Sequence, residues 1–312
     1  MSASGTRRPR VGLALGSGSA RGWAHIGVIE ALSEAGIEPD VVCGTSIGAL
    51  VGAAFVCGRL QALKERVQSF GWRDIARLLD VRLSGGGLVD GRRIVALLGE
   101  LGVDRPIEEC ATPFAVVATD LETGREIWLR EGPIDRAVRA SISIPGIFNP
   151  VMIDGRWLVD GGLVNPVPVS TCRALGADVV IAVNLNDDIV MRFEGSASHA
   201  VAAPAGAGGS PEFLRRLLEQ IPRPLRREAD AIAPQLMGAG QAAPGYFEVL
   251  INSLNIMQNL ITRSRLAGDP PHVLLAPRLR SIRLLEFNRA PEAIAAGHFC
   301  VEESLVRLRR LL

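Results

Sequence analysis

Residues 11–57 read as two strand–turn–helix units in succession, and both turns are made of small residues. The first strand covers Val11 to Leu15. The loop Gly16-Ser17-Gly18-Ser19 follows, then a helix over roughly residues 21–35 with Ile26, Ile29 and Leu32 at helical spacing and Gly36 as its stop. The second strand is Asp40-Val41-Val42-Cys43. It runs into Gly44-Thr45-Ser46-Ile47-Gly48 and then into an uncharged apolar helix over residues 49–55. A β–α–β–α run this short argues for two parallel strands with helices on the sheet faces, and so for an α/β fold.

Each turn carries chemistry. G-x-S-x-G between a strand and a helix holds a serine on a sharp bend, and its glycines let the backbone fold tightly and a substrate carbonyl approach. The bland alternative is a small-residue turn that only packs a helix on a sheet. In the Gly16–Ser19 loop, unpaired N–H groups at the helix start converge on one spot and attract negative charge. That charge is either a phosphate, which makes a nucleotide site, or the oxyanion of an acyl-transfer intermediate. A third element lies far downstream: Trp157-Leu158-Val159-Asp160-Gly161-Gly162-Leu163, in which an apolar segment delivers an aspartate into a Gly-Gly turn. Alone it reads as an ordinary Asp-Gly turn.

The order of the three elements changes that reading. A Gly-rich loop with a basic residue and glycine (Gly16 to Gly22, with Arg21), then G-x-S-x-G, then D-G-G, resembles the patatin-like phospholipase family. Within it, the chain is most similar to bacterial members related to the catalytic domain of neuropathy target esterase. The segment Ser141-Ile142-Ser143-Ile144-Pro145-Gly146 also looks like the family's run between serine and aspartate. Serines stand at positions 17 and 19 where the family usually has glycine, which makes any positive φ there harder to adopt. The resemblance implies a three-layer patatin-like fold, with a mainly parallel central sheet and helices on both faces. It also implies a Ser–Asp dyad: Ser46 as nucleophile, Asp160 as the base. The N–H groups near Gly18 and Ser19 would form an oxyanion hole, with Gly16 in the same loop and Arg21 holding the loop or steering an anionic substrate. Gly44, Gly48, Gly161 and Gly162 would support the two motifs.

Residue chemistry is compatible with that implication. The usual base for a serine is histidine. His25, His199, His272 and His298 stand in no recognisable motif and read as surface or packing residues. An α/β-hydrolase would place several strands before its serine, and here only two precede it. An acyltransferase of the malonyl-transfer type would need a histidine in a recognisable setting. A dinucleotide loop would leave Ser46 and Asp160 unexplained and lacks the G-x-G-x-x-G spacing. A non-catalytic regulator remains a further alternative.

Composition bounds the rest. A net charge of +1 over 312 residues gives no pull toward nucleic acid. Five scattered cysteines (Cys43, Cys57, Cys110, Cys172, Cys300) without metal spacing read as reduced packing residues of a cytoplasmic protein. Neither a metal nor an organic cofactor is indicated; calcium would need a loop of clustered oxygen ligands. Residues 1–9 read as a disordered tail, and residues 10–312 as a single hydrolase domain. That domain carries a flexible and amphipathic insertion at about 191–245, with leucines and arginines mixed over residues 213–227. This stretch is either a lid in peripheral contact with lipid at the inner membrane face or a solvated helix. Helices are expected over residues 246–266 and 301–312, and a strand over 272–276. The expected partner is a lipid or acyl-ester substrate; oligomeric state stays open.

Overall fold

The computed structural model describes residues 7–71, 74, 89–187 and 246–311. The whole of the expected insertion, including its amphipathic stretch, lies outside the described residues, as does most of the N-terminal tail.

The predicted β–α–β–α run is present as strand β1 (Val11–Leu15), helix α1 (Ala24–Glu34), strand β2 (Val41–Thr45) and helix α2 (Ile47–Val56). A short 3₁₀ turn, Ser19–Trp23, replaces the start of the expected first helix. Helices α3 (Leu60–Gln68) and α4 (Arg92–Glu100) follow, then strands β3 (Phe114–Asp120) and β4 (Glu126–Leu129). Helix α5 (Ile134–Ser141) leads to the hairpin β5 (Val151–Ile153) and β6 (Arg156–Asp160). The chain continues through α6 (Val169–Ala174), β7 (Val179–Val183), α7 (Tyr246–Gly268), β8 (Val273–Leu275) and α8 (Ala290–Arg309).

The eight strands form one sheet in the order β5-β6-β3-β2-β1-β7-β8, with β4 also on β3. The pairings β1–β2, β1–β7, β2–β3 and β7–β8 are parallel. Only β4, β5 and β6 bring in antiparallel pairing. The parallel strands are buried on both faces, which explains why they read as unbroken apolar runs. Their side chains nonetheless alternate in size. Leu13, Leu15, Val42, Phe114, Val116, Ile181 and Val183 join the large core under α1, α2 and α8. Ala14, Cys43, Ala115 and Ala182 point the other way, into a small core with α6. Large residues on one face and small ones on the other set a deep helical layer against a close-packed one.

The C-terminal helix is longer than its leucine spacing predicts. It begins at Ala290, with a proline at its first turn. Its first half packs through small residues: Gly27 of α1 lies against the Ile294 carbonyl, and Gly297 against that of Ala24. Backbone contact of this kind leaves no leucine stripe to read.

Candidate active site

Strands β2 and β6 meet head on. Thr45, which ends β2, pairs with Val117 of β3; Asp160, which ends β6, pairs with the next residue, Ala118. Val117 and Ala118 also pair with Trp128 and Ile127 of β4. A strand residue has one neighbour on each edge, so β2 and β6 share the edge of β3 that faces away from β4. One runs parallel to β3 and the other antiparallel, so their C-terminal ends converge on adjacent rungs. Register alone therefore brings Ser46 and Asp160 together across 114 positions of sequence.

Ser46 is the N-cap of α2, with φ 56° and ψ −123°. A serine held there stores on the order of 1–3 kcal/mol of strain. Its surroundings over-determine it. The Ser46 N–H donates to Ser141 Oγ at 2.7 Å, and that hydroxyl donates to the Val117 carbonyl at 2.6 Å. The preceding Thr45 Oγ1 donates to the Asn165 carbonyl at 2.8 Å. On the far side of the bend a Cβ on Gly48 would sit 2.2 Å from the Leu15 carbonyl, and one on Gly161 would sit 2.2 Å from that of Val117. The motif glycines are thus required by close backbone approach. Gly44 and Gly162 complete the two turns.

The Ser46 hydroxyl donates to Asp160 Oδ2 at 2.6 Å. The other carboxylate oxygen accepts the Gly162 N–H at 2.7 Å. Asp160 is 1% exposed. Burial pushes its carboxyl up to about 6, against the opposing pull of the bonds from Ser46 and Gly162. A carboxylate so placed stays ionised at neutral pH and is a stronger base than one in water.

The Gly-rich loop faces this pair. Its first peptide groups are committed: Gly16 N–H donates to the Val183 carbonyl and Ser17 N–H to that of Pro166. The next two are not. The first bond of the 3₁₀ turn runs from Arg21 N–H to the Gly18 carbonyl. The N–H groups of Gly18 and Ser19 precede it and have no partner among the described residues. Ser19 adopts the positive φ of 50° that a serine resists. Gly18 and Ser19 line the cavity above Ser46; Gly16 and Arg21 do not. Arg21 is buried and turned away, with Nε donating to the Ile282 carbonyl at 2.8 Å and Nη1 reaching Asn186 Oδ1 at 3.5 Å. It ties the loop to the segment after β8.

Helix α7 roofs the cavity with Ile251, Leu254, Asn255 and Gln258, and Ile144, Ile147, Leu284 and Leu285 complete its walls. Gln258 accepts a hydrogen bond from Ser17 Oγ at 3.2 Å and lies against Gly162. The cavity holds about 30 Å³, room for a water molecule or two, and opens in part to solvent. A larger cavity of about 260 Å³ lies at the opposite end of β1, lined by Arg8, Ile37 and Arg309, and holds none of the candidate residues.

None of the described histidines bonds to Ser46. His298 pairs with Glu34, and His272 accepts the Val180 N–H. His199 lies outside the described residues. His25 is fully buried against the Gly-rich loop. Sequence reading passed over His25, Ser141 and Gln258. Ser141 sits in a segment the resemblance had marked, without a role; Gln258 is one of several polar residues on α7, with Asn252, Asn255 and Asn259, and only the packing of α7 singles it out. As a set, a hydroxyl bonded to a buried carboxylate, two N–H groups without a partner among the described residues and a helix N-terminus are parts that acyl transfer can use.

The family model described as patatin-like phospholipase matches residues 13–173. An uncharacterized NTE family protein of Mycobacterium bovis is 36% identical, over 96% of this chain and 92% of the relative. Patatin-like phospholipase domain-containing protein 7 of Rattus norvegicus is 34% identical over 56% of this chain and 13% of its own length. Lysophospholipase nte1 of Emericella nidulans is 36% identical over 56% of this chain and 12% of its own.

Proposed function

Because the chain belongs to the patatin-like phospholipase family, we propose that it hydrolyses lipid acyl esters through a Ser46–Asp160 dyad. The observation that carries this reading is the 2.6 Å hydrogen bond between Ser46 Oγ and a carboxylate buried with it. In the forward step Ser46 Oγ attacks the ester carbonyl and its proton passes to Asp160 Oδ2. The carbonyl oxygen becomes an oxyanion held by the N–H groups of Gly18 and Ser19, beside the positive end of α2. Collapse of the intermediate expels the alcohol, which takes the proton back, and leaves an acyl ester on Ser46. Water, deprotonated by Asp160, then releases the fatty acid and restores the serine.

Lysophospholipids are the substrate class favoured here, in keeping with the relative named as a lysophospholipase. The same reading treats residues 10–312 as one hydrolase domain, supported by the pairing of β7 with β8 across the insertion. Among the described residues no helix is long and apolar enough to cross a membrane. A cytoplasmic enzyme with peripheral lipid contact suits the five free cysteines and the exposed Val249, Ile256 and Leu260 on α7. A nucleotide site in the Gly16–Gly22 loop leaves the serine–aspartate bond without a purpose.

The test is labelling by a fluorophosphonate probe together with hydrolysis of a lysophospholipid and short-chain ester panel. Ser46→Ala should abolish labelling, and Asp160→Asn should lower kcat by roughly 10⁴-fold. Full turnover in either variant refutes the dyad.

A further inference from the structure

His25 is a buried ionisable group beside the site that the reaction leaves unused. It is 0% exposed, and its Nε2 lies 2.8 Å from the Gly16 carbonyl oxygen. A carbonyl only accepts, so Nε2 carries the proton and donates. Nδ1 is then a bare acceptor, buried without a partner. Burial drives the ring's pKa down to about 4 despite the Gly16 bond, so the imidazole stays neutral. A phenylalanine of similar shape would leave no orphaned nitrogen. Packing alone does not explain a histidine here.

What its N–H does explain is the loop. The Gly16–Ser17 peptide is gripped at both ends, its carbonyl by His25 and its N–H by the Pro166 carbonyl at 2.8 Å. The Ser17 carbonyl next along accepts Asn186 Nδ2 at a long 3.4 Å. The two N–H groups that follow are those of Gly18 and Ser19. We infer that His25 is a positioning residue: its Nε2–H fixes the Gly16 peptide so that the Gly18 and Ser19 N–H groups stay turned toward the ester oxygen. This rests on the hydrolase reading above. Without the His25 bond the Gly16 carbonyl loses its anchor, and the peptides that follow, with Ser19 at positive φ, are held less firmly toward the site.

The experiment compares wild type, His25→Phe and His25→Gln; glutamine can bring an amide N–H close to where Nε2 stands. Three quantities are read on each: steady-state kinetics on a lysophospholipid, affinity for a long-chain trifluoromethyl ketone, and affinity for a non-hydrolysable ether lysophospholipid. The ketone adds Ser46 and forms an oxyanion; the ether does not. His25→Phe should lower kcat about 10- to 100-fold, less than the 10²–10³ lost with a whole oxyanion donor. KM should barely move. Ketone affinity should fall with kcat, ether affinity should hold, and His25→Gln should recover most of both losses. Should His25→Phe not fold, His25→Met is the donor-free variant read in its place.

Unchanged kcat in a donor-free variant overturns the inference. So does an equal loss of kcat, both affinities and thermal stability in the donor-free and glutamine variants, which would mark a packing role. If wild type itself neither turns over substrate nor binds the ketone, the hydrolase reading fails and takes this one with it.

Discussion

Ser46 and Asp160 depend on neighbours that never touch a substrate, and Ser141 is the clearest of these. Its fully buried hydroxyl takes the Ser46 N–H and hands its own proton to the Val117 carbonyl. Replacing it by alanine leaves a buried N–H and a buried carbonyl unmet. Ser141→Ala should cost about 1–3 kcal/mol of stability, measured by urea denaturation. It should also slow fluorophosphonate labelling, because the bend at Ser46 loses an anchor; a labelling rate equal to wild type would mean the other contacts suffice. If Asp160 is the base of the proposed dyad, it sets the pH profile. With its carboxyl pushed up to about 6, Asp160 is protonated and useless as a base in mild acid. The kcat/KM for a neutral ester should rise through about pH 6 and level off above it, with no descending limb from histidine. A rise centred near pH 4 would mean Asp160 is solvated during turnover.

Among the elements, α7 decides what the site admits. The space between its Leu254 and Ser46 takes a water molecule or two, whereas an acyl chain needs far more. On the proposed reading, Leu254 is a side chain whose truncation would widen that space. Leu254→Ala should raise kcat/KM for dodecanoyl esters severalfold relative to acetyl esters, at a stability cost of about 2 kcal/mol or more. A chain-length series on p-nitrophenyl esters reads this directly; an unaltered ratio would place the acyl path elsewhere. The sequence announced a helix over residues 246–266 but not that it roofs the site. Helical periodicity reports that one face is buried and says nothing of what it covers. The strand–turn–helix units were legible for a different reason. Their strands are buried on both faces, and their turns need glycine where backbones approach within bond range of one another. Asp160 was legible only through the order of three motifs. The cause of its placement, two strands meeting end to end on β3, is a matter of register that no local pattern encodes. His25 and Ser141 gave no sign of a role, because the bonds they make, one from His25 and two at Ser141, lie inside the core.

Over the whole molecule, the same two buried groups also shape stability, and with opposite sign. His25 has its pKa lowered to about 4 from an ordinary value of 6.5. The unfolded chain binds its proton first, so this contribution is complete above about pH 6.5 and is lost as pH falls to about 4. Asp160 is raised from 3.8 to about 6. Here the folded protein binds the proton first, so folding weakens as pH rises from about 4 to about 6, by about 3 kcal/mol. Between pH 4 and 6 the two slopes nearly cancel in wild type. Asp160→Asn removes one of them. An asparagine can still accept the Gly162 N–H and donate to Ser46 Oγ, so the fold loses little. The stability of the variant relative to wild type should then grow by about 3 kcal/mol between pH 4 and pH 6.5 and stay constant above that. Thermal or urea unfolding of both proteins at half-unit steps of pH measures it. A pH-independent gap would mean that Asp160 is ionised as easily in the folded chain as in water, and with it would go the source of its strength as a base. A widening gap would show that the fold bears a standing cost to keep a carboxylate dry beside Ser46, the cost that the proposed aspartate base entails.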